Sequence, residues 1–204
     1  MDNKTKAILI VGGLAACGVA TYLIVRAVKR KKEAEQLTAA AEVQESGTTS
    51  TGSATGKVDK YGWPVISGIS GNRPTANNNP MNIRTSAEKW KGQIGTDAAE
   101  NGFCVFDTLH YGLRASFKNL RTYEKSYNRK TLREKLVKWA PPKENRKTYP
   151  DEVAQMAGVG CDEAAPIGNV EYWVKVIPYW AKLEGYSKTI TADQIRAAYR
   201  DANI

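Results

Sequence analysis

Leu109–Tyr127 reads LHYGLRASFKNLRTYEKSY, and its spacing decides the fold class. Leu113, Phe117, Leu120 and Tyr127 fall on one side of a 3.6-residue spiral, which predicts a helix over roughly 109–127 with a single buried face. The same reasoning extends downstream. Thr131 with Glu134 three residues on has the form of a capping box and opens a second helix, which Pro141-Pro142 stops. Thr148, Pro150 and Asp151 open a third, ended by Gly158. Val170–Leu183 is a fourth, rich in Tyr and Trp and interrupted by Pro178, with Gly185 in the C-cap region. Thr191 and Gln194 cap a fifth that runs to about Ala202.

Upstream the pattern changes. Tyr61–Gln93 is loop-like, with Pro64, Gly68, Gly71, Pro74 and the run Asn77-Asn78-Asn79-Pro80. Short extended pieces are expected around Trp90–Gly95 and Gly102–Phe106. Residues 61–204 therefore read as one α+β domain, mostly helical, with no internal repeat.

The N-terminal part has a different character. Ala7–Val25 is 19 residues without a charge, followed by Arg26, Lys29, Arg30, Lys31 and Lys32. A helix of that length just spans a bilayer core of about 30 Å. It exceeds a usual signal-peptide core and ends in bases instead of a cleavage site, so an uncleaved transmembrane anchor is expected after a short tail, 1–6. The basic flank then puts the C-terminal domain on the cytoplasmic side. Residues 26–60 read as a basic juxtamembrane helix and a linker, flexible over the Gly/Ser/Thr-rich stretch Glu45–Lys60.

Charge is unevenly spread within the net +9. Residues 1–32 hold seven Lys/Arg against one acid, 33–60 two against five, and 61–204 twenty-one against fifteen. Between Lys118 and Lys138 eight bases face only Glu124 and Glu134. That run is either a solvated helix face or a surface for an anionic partner such as phospholipid or wall polymer. No nucleic-acid module accompanies it, so no sequence-specific nucleic-acid partner is expected.

Chemistry has few carriers. Cys17, Cys104 and Cys161 make no disulfide framework and lack metal-ligand spacing, and His110 is the only histidine. No phosphate loop, metal motif or nucleophile elbow is present, so no cofactor and no metal are expected. Carboxylates remain. Glu184 ends an aromatic helix, directly before Gly185-Tyr186, where the negative end of the helix dipole favours a protonated carboxyl. Such a group suits a general acid in glycan cleavage, with Tyr179, Trp180 and Tyr186 offering ring faces to sugars. As a plain last-turn residue it would only be solvated.

Several motifs add to this. Asn77–Pro80 with Asn82-Ile83-Arg84, then Trp90-Lys91-Gly92-Gln93, Phe103 and Phe106, Gly112-Leu113-Arg114-Ala115 and Trp139–Asn145 (WAPPKEN) resemble, in order, a family of phage virion-associated proteins. The resemblance covers about 77–202. The first half is also similar to wall-degrading glucosaminidases of the lysozyme-like superfamily, in which a catalytic Glu ends a helix ahead of these motifs. This chain departs from that pattern: Gly68–Ala76 holds no acidic residue. A circular permutation would bring Glu184 to the same place in space.

The resemblance implies a lysozyme-like domain, circularly permuted if Glu184 stands for the missing catalytic Glu, in a membrane-anchored virion protein that degrades host peptidoglycan locally. Glu184 would be catalytic and Glu144, in WAPPKEN, a second candidate. Asn82, Trp90, Tyr179, Trp180 and Tyr186 would bind the glycan, and Asp97 or Glu100 could offer another carboxylate. The expected partners are peptidoglycan, the lipid membrane and other virion or capsid proteins. The rival reading is a non-catalytic structural protein that tethers membrane to capsid.

Overall fold

The computed structural model describes residues 53–67, 72–97, 102–143 and 145–204, all within one compact unit, Thr48–Ile204. The expected anchor and its basic flank lie outside the described residues. Among the described residues no helix is long and apolar enough to cross a membrane.

The architecture is mixed α+β, with a four-stranded sheet and six helices among the described residues. Strands β1 (Ser53–Val58), β2 (Pro64–Ser67), β3 (Gln93–Asp97) and β4 (Cys104–Phe106) lie side by side in chain order. The β1–β2 and β3–β4 pairs are antiparallel, whereas β2 runs parallel to β3. Composition assigns Ser53–Val58 to the flexible linker, yet it forms the first strand. Asp59 is the local reason: its Oδ1 accepts from Tyr61 N at 2.8 Å and Trp63 N at 2.9 Å, which closes a turn and returns the chain as β2.

The parallel pair needs a crossover, and α1 (Arg73–Ala76) with the loop after it supplies one. That loop holds Asn77, Asn78 and Asn79, all buried. A buried loop must satisfy its backbone groups, and the asparagines do this work. Asn78 Nδ2 donates to Phe106 O and Asp107 O, and Asn79 Nδ2 donates to Ile83 O and Cys104 O, all at 2.9–3.1 Å. Asn79 Oδ1 accepts from Ile83 N. The triple-asparagine motif is thus the clip that fastens the loop to β4.

Helices occupy nearly the expected spans: α2 Leu109–Lys125, α3 Leu132–Trp139, α4 Tyr149–Ala157, α5 Val170–Leu183 and α6 Ala192–Ala202. Both capping boxes form, Thr131 with Glu134 and Thr191 with Gln194. Leu113, Phe117 and Leu120 are fully buried as the periodicity requires. Tyr127 differs. The helix ends at Lys125, and the ring, expected on the buried face, is 50% exposed.

The core gathers Met81, Phe117, Leu136, Trp173, Ile177, Trp180 and Ile195 into one cluster spanning the helices. Gly112 sits where α2 crosses the asparagine loop: a Cβ there would lie 2.0 Å from Asn78 O. Only glycine allows that approach, which accounts for its place in the GLRA motif. This unit, Thr48–Ile204, closes its own core, which is the property of a domain able to fold by itself.

The basic run from Lys118 to Lys138 is not one solvated face. Lys135 is fully buried, its ammonium donating to Glu124 Oε2 at 3.0 Å and Ala165 O at 2.7 Å. Arg133 bridges Asp151 and Asp162.

Candidate functional site

Glu184 caps the C-terminus of α5, and the sequence around it explains why. Tyr186 N donates to Ala181 O at 2.8 Å and Gly185 N to Lys182 O at 3.0 Å, the paired bonds of a Schellman ending. Gly185 supplies the left-handed turn at φ +95°, and Tyr186, almost wholly buried, is the apolar anchor that completes it. The Leu-Glu-Gly-Tyr sequence is therefore a helix stop that leaves Glu184 half-buried at its rim.

Two distant residues meet the carboxylate there. Asn82 Nδ2 donates both to Glu184 Oε2 and to its main-chain oxygen, each at 3.0 Å, across 102 residues of sequence. Tyr149 OH donates to Oε1 from the first turn of α4. Asn82 adopts a left-handed backbone at φ +52°, which asparagine tolerates better than most residues. Its Oδ1 is buried and has no hydrogen-bond partner among the described residues. Burial, then the neighbouring Glu184 charge, push the Tyr149 phenol far above its usual range, so it stays protonated.

The surroundings hold this cluster in place. Trp139 Nε1 donates to Met81 O at 2.8 Å, which fixes the turn carrying Asn82. Trp139 packs edge-on against Trp180 with ring centroids 4.9 Å apart. Thr75 and Ser187 are joined through their hydroxyls, tying α1 to the segment that follows Glu184. A half-buried carboxyl oriented by an amide and a phenol can take or release a proton at a fixed position, since a phenol either donates or accepts.

The other expected site residues are dispersed. Trp180 and Tyr186 lie in the core, so neither presents an open ring face. Tyr179, on the same helix, is 41% exposed. Trp90 is half-buried against Ile83, Cys104 and Phe106 in a second, smaller cluster. Asp97 is consumed by structure: it accepts from Asn77, from Phe103 N and from Arg73. Glu144 and Glu100 lie outside the described residues. His110 and Asp201 are paired at 3.1 Å, with Lys91 and Arg114 on the same carboxylate. Among the described residues no group of three or more His, Cys, Asp or Glu could hold a metal ion.

Tyr149 stands at the distance from Trp139–Asn145 that the phage-family motif has, but the sequence gives it no site role, because nothing local says that its hydroxyl turns toward Glu184.

The fold is a helix-dominated α+β domain in which Asn82 and Tyr149 orient the Glu184 carboxyl at the end of α5. No protein-family model matches the chain. Protein P5 of Pseudoalteromonas phage PM2 is 30% identical to it over 131 residues, 62% of this chain and 79% of that protein. The chain belongs to the family of that phage protein, a kinship that supports a bacteriophage virion protein.

Proposed function

We propose that this is a membrane-anchored virion protein whose domain cuts the glycan strands of host peptidoglycan as the phage penetrates the envelope. The observation that carries the reading is the meeting of Glu184 with Asn82. The lysozyme-like resemblance asks for a helix-ending Glu beside the Asn-Ile-Arg motif, and the 3.0 Å contact supplies one from the opposite end of the domain. That is the arrangement expected of a permuted lysozyme-like site.

In this mechanism Glu184 in its protonated form gives its proton to the glycosidic oxygen. The C–O bond breaks and the leaving sugar departs as an alcohol. Water, or a hydroxyl of the same sugar, then adds at the cationic carbon and returns its proton to Glu184. Tyr149 and Asn82 orient the carboxyl through both steps, and exposed Tyr179 lies on the helix leading to it.

The test is a zymogram with purified residues 48–204. Wild-type protein should clear peptidoglycan, and Glu184→Gln, isosteric with it, should not. Clearing by the Gln variant at the parental rate would remove Glu184 from the mechanism.

One observation favours a second reading. Both Glu184 oxygens already accept hydrogen bonds, as they would in a purely structural clamp joining α4, α5 and the Asn82 turn. A non-catalytic domain tethering membrane to capsid would keep that clamp and show no clearing at all. In that case Glu184→Gln would alter only thermal stability.

A further inference from the structure

The bases of the run from Lys118 to Lys138 are not equivalent. Arg133 and Lys135 are in ion pairs. Arg121, Lys125, Arg129 and Lys138 are exposed, and none is in an ion pair among the described residues. Arg121 and Lys125, one turn apart, share a helix face, and the chain then passes through Tyr127 to Arg129. Lys138 arrives from α3 with its ammonium 4.4 Å above the Tyr127 ring.

Tyr127 is half-exposed beneath the Lys138 ammonium, two residues along the chain from Lys125 and from Arg129, and Val137 next to Lys138 is 38% exposed. Tyr127 is also braced from below, edge-on to Tyr123 at 6.2 Å, which in turn meets Trp139 at 5.8 Å. A solvated helix face does not need a braced, outward aromatic. A surface that meets lipid headgroups does: bases meet the phosphates while an amphipathic ring sits at the interfacial depth.

We infer that this patch is a docking surface for an acidic phospholipid bilayer. Charge complementarity carries the choice of partner. It agrees with the sequence upstream, where 19 uncharged residues followed by five bases would hold this domain beside a membrane. The inference rests on that membrane-held reading for its biological setting and on nothing in the glycan-cleaving step. Docking through α2 and α3 would fix which side of the tethered domain faces away from the lipid.

The experiment is vesicle flotation with residues 48–204, which lack the apolar run. The domain should float with phosphatidylglycerol/phosphatidylcholine vesicles at low salt, be released at high salt, and ignore pure phosphatidylcholine. At about fivefold per base, neutralising two bases in Arg121→Gln/Lys125→Gln should weaken binding by about 30-fold. The same charge loss on the β1–β2 hairpin, Lys57→Gln/Lys60→Gln, should change it by no more than about threefold.

Equal weakening by the sheet variant would mean that net charge alone binds, and would overturn the patch. So would flotation with neutral vesicles or no flotation at low salt. Circular dichroism verifies that each variant is folded. Peptidoglycan clearing measured on the same variants separates the two readings, since a docking surface can fail while glycan cleavage stands, and the reverse.

Discussion

Replacing Lys135 by Met tests how the interior of this domain is held. The ammonium is fully buried and closes a network in which Glu124 Oε2 also accepts from Ile167 N at 2.8 Å. Lys135 thereby pins the Ala165–Ile167 segment to α2 and α3. Methionine keeps the chain's volume but leaves Glu124 buried without its counter-charge and Ala165 O without its donor. Breaking such a pair costs about 3–5 kcal/mol, the orphaned carbonyl being included in that range. Against a total stability of about 5–15 kcal/mol, that is a large fraction. For a domain near 150 residues the melting temperature should fall by roughly 6–20 °C.

The pH dependence gives the sign. Burial opposes the Glu124 charge, but hydrogen bonds from Lys135 and Ile167 N and the Lys135 charge outweigh it, so its folded pKa is lowered. A lowered carboxyl contributes stability that is present above its unfolded pKa and lost as pH falls through the folded value. In Lys135→Met the main downward pull is gone and burial remains. The gap between wild type and variant should therefore be widest near neutral pH and shrink below about pH 4.5. Replacing both partners together, Glu124→Leu with Lys135→Met, should recover most of the loss. Thermal melts across pH 3–8 read all three. A single-variant cost under about 1 kcal/mol at pH 7, or a gap that widens in acid, would refute the reasoning.

Gly112→Ala should destabilise by about 1–3 kcal/mol despite the higher helix propensity of alanine, because the new methyl meets Asn78 O at 2.0 Å; Gly168→Ala, with open space around it, should be near neutral in the same melts. Burial pushes the Cys104 thiol up to about 12, so it should resist alkylation in the native domain at pH 8 and react once urea unfolds it; native labelling at the free-thiol rate would contradict its burial. If the basic flank holds the domain on the cytoplasmic side, as the positive-inside rule would have it, protease added to spheroplasts expressing the full chain should leave the domain intact; digestion would reverse that topology.

How much was legible follows the range of the interactions. All five longer helices were readable because caps and apolar spacing act within one or two turns: Thr131 with Glu134, Thr191 with Gln194, Gly185 after Leu183. The place of Glu184 at the stop of an aromatic helix was readable for the same reason. Strand β1 was not, because Ser53–Val58 has a linker's composition and becomes a strand only by pairing with β2.

The remaining features depended on partners far along the chain. Trp180 and Tyr186 have the composition of a sugar-binding wall, yet packing turned both inward, since aromatic residues serve a core as readily as a groove. Lys135 sits in a basic run, yet Glu124 and Ala165 drew it inside. Sequence by itself determined where the five longer helices begin, where they end to within two residues, and that one carboxyl stands at a helix terminus. Tertiary structure alone decided that Asn82 and Tyr149 meet it, because no local rule reaches across 102 and 35 residues, and only the closed core brings those segments within hydrogen-bonding distance.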